Sequence, residues 1–522
     1  MWGRKKQQRA TDEVPDLDEQ IRALRGIVTS DGGTRAVGPL IALLTARASV
    51  AGMADRDDAA LEDRRAAAGL LHGYDGQPSP VDRKADLLVR MALAAAERTA
   101  GNLDESLDAA SWAMDHVGTI GPDDAEFCEA FVADLDRLRA DLNAAKRRPE
   151  ALRAAEMATD MVTRLAELDE AAYLALVGTA WLNEASARAN AGDFDGATAL
   201  NEEAISLLEE HAPTSPALTT ALTNRAALQR RDGRWTEAVT TEKQLLAGLR
   251  ADQPSPREEV QRLNSLFLTL VQSGRREEAE QAVTEAIAIA RRATALDPTQ
   301  TLVLAQLLGN QANIRGELGR HEDALSSSEE ALALREQMVL ADPSPATDEG
   351  LAMVLNNHSV VLRRLGRYAD AAAAAARSVE LRRRNVDPGN PNSVALLANS
   401  LNSHAEHLGR LGEGEQAVAL AVEAQDLFAG LPAPGAKKPY LRSNQETLGT
   451  VLAVAGRYDE AVEAARHAVE LGREAAADVP GEIPELASCL ESFADRLEQI
   501  GRTPEAEAAR TEASQLRAVT AS

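Results

Sequence analysis

The chain has 522 residues, with 56 Lys and Arg against 82 Asp and Glu and a net charge of −26. So acidic a surface is repelled by phosphate backbones and anionic lipid, which argues against nucleic acid and membrane surfaces as partners, and no stretch is long and apolar enough to span a bilayer. A cytoplasmic protein is expected, in which Cys128 and Cys489, far apart in sequence, are buried small hydrophobes and not a disulfide or a metal site.

In chain order, residues 1–33 read as a disordered tail whose one basic run is Arg4, Lys5, Lys6 and Arg9. Helical patterns over Val37–Met53 and Asp57–Tyr74 make residues 34–86 an N-terminal helical cap with the form of an eroded hairpin. From 87 to 518 the chain repeats. The block Gly456-Arg-Tyr-Asp-Glu-Ala461 recurs from Gly192, Gly233, Gly274, Gly319, Gly366, Gly412 and Gly501, with degenerate copies from Gly101 and Lys146. Successive starts lie 45, 46, 41, 41, 45, 47, 46, 44 and 45 residues apart, the mark of a stacked array and not of one globular core.

Alanine is abundant and Arg outnumbers Lys 49 to 7, the bias of a GC-rich genome, so position carries the information and content does not. Five residues after the turn start stand Ala151, Ala197, Ala238, Ala279, Ala324, Ala371, Ala417, Ala461 and Ala506; seven residues further on, two helical turns along the same face, stand Ala204, Ala286, Ala331, Ala424, Ala468 and Ala513. Small side chains there let a neighbouring helix approach closely. Leu270, Leu362, Leu408, Leu452 and Leu497 lie four residues before the glycine, which sits where a helix must stop in a left-handed conformation. Phe194, Trp235, Tyr368 and Tyr458 follow two residues after it, at a phase that assigns them to packing of the turn. Connectors such as Asp252-Gln-Pro-Ser-Pro256, Asp297-Pro-Thr299, Asp342-Pro-Ser-Pro345, Asp387-Pro-Gly-Asn-Pro391 and Val479-Pro-Gly-Glu-Ile-Pro484 end helices sharply; the longest, Leu431–Pro439, is the expected flexible joint.

Turn glycine, aromatic and phased alanines resemble the tetratricopeptide repeat, and Leu448-Gly449 completes the pattern in the Gly456 copy. The period exceeds that family's 34 residues, as in the long repeats of kinesin light chain and of many bacterial members. The resemblance implies an all-α fold, an α-solenoid of about ten helical hairpins forming a superhelix, whose first helices line a concave face. It implies a non-catalytic scaffold that binds a peptide or partner protein there; the alternative is a sensor arm regulating a separately encoded enzyme, with the Leu431–Pro439 joint as its bistable element.

Chemistry beyond binding finds no support. No Gly-Lys pair exists to build a nucleotide-binding loop, and no nucleophile constellation stands apart from the periodicity, so no enzyme and no cofactor are expected. His404 and His407 share a helix face, but with only Glu406 close by, and pointing elsewhere, a metal is not expected. The polar set that stands out is Asn183, Asn224, Asn310 and Asn357, nine residues before the turn glycine, with Asn264, Asn356 and Asn402 one residue earlier in their own repeats. At this phase some family members hold the backbone of an extended peptide, and an amide both donates and accepts. The other reading has these amides capping turns or bonding adjacent helices. Arg230, Arg231, Arg363, Arg364 and Arg410 close the same helices, where they complement the helix dipole or face an anionic ligand.

Overall fold

The structure, a computed structural model, describes residues 17–25, 28, 34–53, 57–72, 83–117, 125–167, 169–251, 254–432, 434–478 and 482–520. Every regular element among them is helical, and from Arg83 onward the helices alternate as ten antiparallel hairpins, from Arg83–Thr99 with Leu103–Val117 to Ile483–Gln499 with Thr503–Thr520. The chain divides into two compact units, residues 1–241 and 242–522, at a point inside the helix Trp235–Ala251. Each unit is an all-α solenoid.

The turns follow from glycine. Nine turn glycines hold φ between 72° and 97°, a region closed to most side chains, and Lys146 enters it at 62° in the degenerate copy. At Gly366 the glycine N–H donates to Arg363 O (2.9 Å) and the Arg367 N–H to Leu362 O (2.9 Å), so the leucine four residues before the turn closes the helix end with its carbonyl. All nine alanines five residues after the turn start are fully buried, as close helix approach demands. Where the Gly101 copy has Ser106 instead, the hydroxyl is buried and donates to Ala94 O at 2.7 Å. The connector prolines also begin helices: Pro216, Pro256, Pro345 and Pro391 take the first helical position, where no backbone donor is needed, behind the side-chain caps Ser215, Ser255, Ser344 and Asn390.

Two expectations are corrected. Residues 17–25 are helical and not disordered: Ile21 packs with Val37, Leu40 and Leu44, and Arg47 pairs with Asp18 and with Asp63 (2.7 Å to the latter), so apolar burial and an ion pair fix the segment. The Leu431–Pro439 connector is largely helix, because the next helix, Pro434–Val454, starts early and contains Pro439 near its beginning, where few intrahelical bonds are lost. Two further helices, Thr34–Met53 and Asp57–His72, precede the first hairpin.

In residues 242–522 the two kinds of helix are spaced differently. Thr301–Glu317, Pro345–Arg364, Pro391–Arg410, Pro434–Val454 and Ile483–Gln499, the first helices of successive hairpins, each pack directly on the next, whereas the intervening second helices make at most marginal contact with one another.

Candidate peptide-binding face

Because neighbouring first helices pack directly on one another, short polar side chains bridge them. Asn183 Nδ2 donates to Asp136 Oδ1 (2.9 Å), Asn224 Nδ2 to Ser186 Oγ (3.0 Å) and Asn310 Nδ2 to Asn264 Oδ1 (3.3 Å). Asn402 Nδ2 donates to Thr447 Oγ1 (3.0 Å) and its Oδ1 accepts from Asn444 Nδ2 (3.0 Å). Each bond joins one first helix to the next. Of the two readings of this row, the structure places these amides in helix-to-helix bonds; Asn357 alone of the six makes no side-chain hydrogen bond among the described residues, and the Oδ1 of its neighbour Asn356 is buried without a partner. All six amides remain half-buried, at the surface of the row.

In unit 1 the row opens into a cavity of about 430 Å³ between Glu170–Ala191 and Pro216–Arg231. Asn224 and Arg231 line it together, with Asn190, Phe194, Asn201 and the hydroxyl-bearing Ser186. The Arg231 guanidinium lies 3.6 Å above the Phe194 ring and pairs with Asp232 at 3.0 Å, so an aromatic face holds the cation at the cavity mouth. Phe194, 37% exposed, is therefore part of this cavity and does more than pack a turn. Asn201 is fully buried; its Nδ2 donates to Ala221 O (3.0 Å) and its Oδ1 has no partner. Sequence reasoning missed Asn201, although a signal existed: nine residues after the turn start, where other copies carry Val283, Ala375, Ala421 or Ala465, Asn201, Glu242 and Ser328 are polar. Glu242 accepts from Ser265 Oγ (2.7 Å) and Ser328 Oγ meets His358 Nδ1 (2.8 Å), so all three tie a second helix to the next first helix.

Elsewhere the arginines part company. Arg364 is exposed, and its guanidinium lies against Gly316 of the preceding first helix, filling the space a Cβ would take. Arg363 reaches Glu406 at 3.4 Å, and Arg410 is exposed. His407 is fully buried with Nε2 on Ser359 Oγ (3.0 Å); burial first, then the charges of Arg363 and His404, push its pKa down to about 4. Burial also lowers His404 and His358. Among the described residues no three His, Cys, Asp or Glu are placed to hold a metal. Cys128 and Cys489 are buried free thiols, both pushed up chiefly by burial, and Cys489 donates to Glu446 Oε1 at 3.1 Å. No described helix is long and apolar enough to cross a membrane.

Residues 351–392 match the tetratricopeptide-repeat family model, across the first helix, turn and second helix of the Gly366 hairpin. That stretch is similar to a tetratricopeptide repeat. The structure is similar to the apo form of RapI (11% identity, 74% of this chain and 97% of that one, TM-score 0.52), which shares its stacked helical fold. It is also similar to BtubC (BKLC) from P. vanneervenii (20% identity, 47% and 92% covered, TM-score 0.38) and to a tetratricopeptide repeat protein from Parabacteroides merdae (12% identity, 56% and 93% covered, TM-score 0.39). A comparison with curated proteins returns no match.

Proposed function

We propose that this chain is a non-catalytic tetratricopeptide-repeat scaffold that binds an extended segment of a partner protein along the face formed by its first helices. The observation that carries the reading is the cavity holding Asn224, Arg231 and Phe194: an amide able to pair with a peptide unit whatever its side chain, beside a cation of the kind that pairs with an acidic group. The closer spacing of first helices in residues 242–522 supports that face as the concave one, and the overall charge of −26 makes the local arginines the natural place for an acidic peptide segment to settle. The protein acts in the cytoplasm and makes no contact with nucleic acid or membrane.

Immobilised full-length chain, incubated with lysate of its host and analysed by mass spectrometry, identifies the partner; the test lies in the variants. Arg231→Ala removes a cation whose contact with a neighbouring helix is the Phe194 ring at the cavity, and Asn357→Ala removes an amide that bonds no described neighbouring helix. Both are expected to weaken retention of the same partner by about tenfold with Tm nearly unchanged. Retention undiminished by both variants refutes the face.

A further inference from the structure

Second helices of this array mostly place an apolar residue sixteen positions after the turn start, such as Leu208, Ala290 or Phe428, but three hairpins put arginine there: Arg517, exposed and paired with Glu491, and the buried Arg335 and Arg382. Arg382 is buried and fully served. Its Nε and Nη2 hold Glu349 (3.2 and 2.8 Å), and its Nη1 donates to Leu396 O (2.9 Å) and Ser400 Oγ (2.6 Å). Arg335 is equally buried, 4% exposed, yet among the described residues its guanidinium makes no hydrogen bond or ion pair and its Nε is enclosed without a partner. It lies in the notch left by Gly350, and burial alone lowers its pKa.

Register explains the vacancy. Arg335 and Arg382 lie 47 residues apart, as do Gly319 and Gly366; 47 residues before Glu349 stands Leu302, and 46 before Ser400, the distance from Gly366 to Gly412, stands Val354. Both side-chain partners are thus replaced by hydrocarbon while the cation is kept. A cation out of water needs an anion or a full set of acceptors. The place an anion would take is reachable: Glu349 is 41% exposed while it holds Arg382, and Leu302, at the matching position, is 40% exposed.

We propose that Arg335 is a carboxylate-binding site, filled from solvent beside Leu302 either by a small carboxylate or by an acidic side chain of a bound protein. The site stands whether or not the first-helix face takes a peptide. Thermal unfolding of the full chain is compared in sodium acetate and in sodium chloride of equal ionic strength, for the wild type, Arg335→Met and Leu302→Glu. Acetate is expected to raise the wild-type Tm over chloride by about 2–4 °C more than it raises that of either variant. Leu302→Glu, which supplies the carboxylate internally, is expected to melt higher than wild type already in chloride. An oligoglutamate peptide acting at a hundredth of the acetate concentration assigns the site to a protein-borne carboxylate, and acetate acting alone assigns it to a small one. Equal shifts in all three proteins with both probes overturn the proposal and leave Arg335 to water.

Discussion

In residues 242–522 the first helices and the second helices solve one problem, holding hairpin to hairpin, with different chemistry. First helices lie close and are joined by short side chains: Asn310 to Asn264, Asn402 to Thr447, His407 to Ser359. Second helices stand apart and are joined by long ones: Lys243–Glu278 (2.8 Å), Arg250–Glu285 (2.6 Å), Arg291–Glu330 (2.6 Å), Arg377–Glu336 (2.6 Å), Arg473–Glu512 (2.8 Å) and Arg383–Glu423. Spacing selects the side chain. A short amide cannot cross the wider gap, and arginines cross the narrow one only near the helix ends, where Arg363 meets Glu406 and Arg364 lies on Gly316. The first-helix wall is therefore mostly neutral and half-buried, with Arg363–Glu406 (3.4 Å) as a charged exception near the helix ends; the second-helix wall is charged, exposed and sensitive to salt.

Acid should break the first wall before the second. His407 is kept neutral in the fold down to about 4, whereas in the unfolded chain it takes a proton below about 6.5. A histidine depressed in this way contributes stability that is fully present above the unfolded value and is lost as pH falls from about 6.5 to 4, on the order of 2–3 kcal/mol in all. His404 and His358, shifted the same way, add to the slope, while Glu446, raised by burial, opposes it. Urea unfolding at pH 7 and pH 5 is expected to show a large loss in wild type and a smaller one in His407→Gln; equal losses would place the acid sensitivity elsewhere.

A finer cut compares amides within the first wall. Asn402→Ala removes two inter-helix hydrogen bonds and leaves the buried Asn444 short of one acceptor, so it should cost about 1–2 kcal/mol by chemical denaturation. Asn357→Ala, which breaks none, should stay within about 0.5 kcal/mol of wild type. If the two cost the same, the amide row is not what joins the helices. The smallest effect belongs to the second wall: Arg377→Ala gives up an exposed pair with Glu336, each partner 40–50% exposed, and should cost a few tenths of a kcal/mol, less still in 1 M salt. A salt-independent loss above about 1 kcal/mol would show that these pairs do more than span a gap.

Much of this was legible in the chain. Gly366, Leu362 and Ala371 act through backbone conformation and local packing, which recur at fixed phase, so periodicity reveals them. Asn402 was visible as a phased residue but not as a bonded one, because its partners Thr447 and Asn444 lie 45 and 42 residues on, and no local rule tells whether an amide turns to a neighbour or to solvent. The helix over 17–25 escaped notice because two apolar residues, Ile21 and Leu24, anchor it to a hydrophobic cluster that sequence does not show to be adjacent. At Pro439 a reliable local rule failed, since a proline near a helix start is tolerated where one in the interior is not. The Asn201 cavity rests on the converse signal, a polar residue at an apolar phase, which asks for comparison between copies and not within one.

The two walls also differ in slack. A hydrogen bond of 3.0 Å between an asparagine and a threonine has no reserve of length, and a small shear of one first helix past the next would snap it. An Arg or Lys stem has several rotatable bonds and can follow its glutamate through a change of rotamer. Bending of residues 242–522 would therefore fall on the second-helix side, with the amide row as the line about which hairpins would tilt. Ligand held on the first helices would sit at the pivot, where its contacts are least disturbed as the stack flexes behind it.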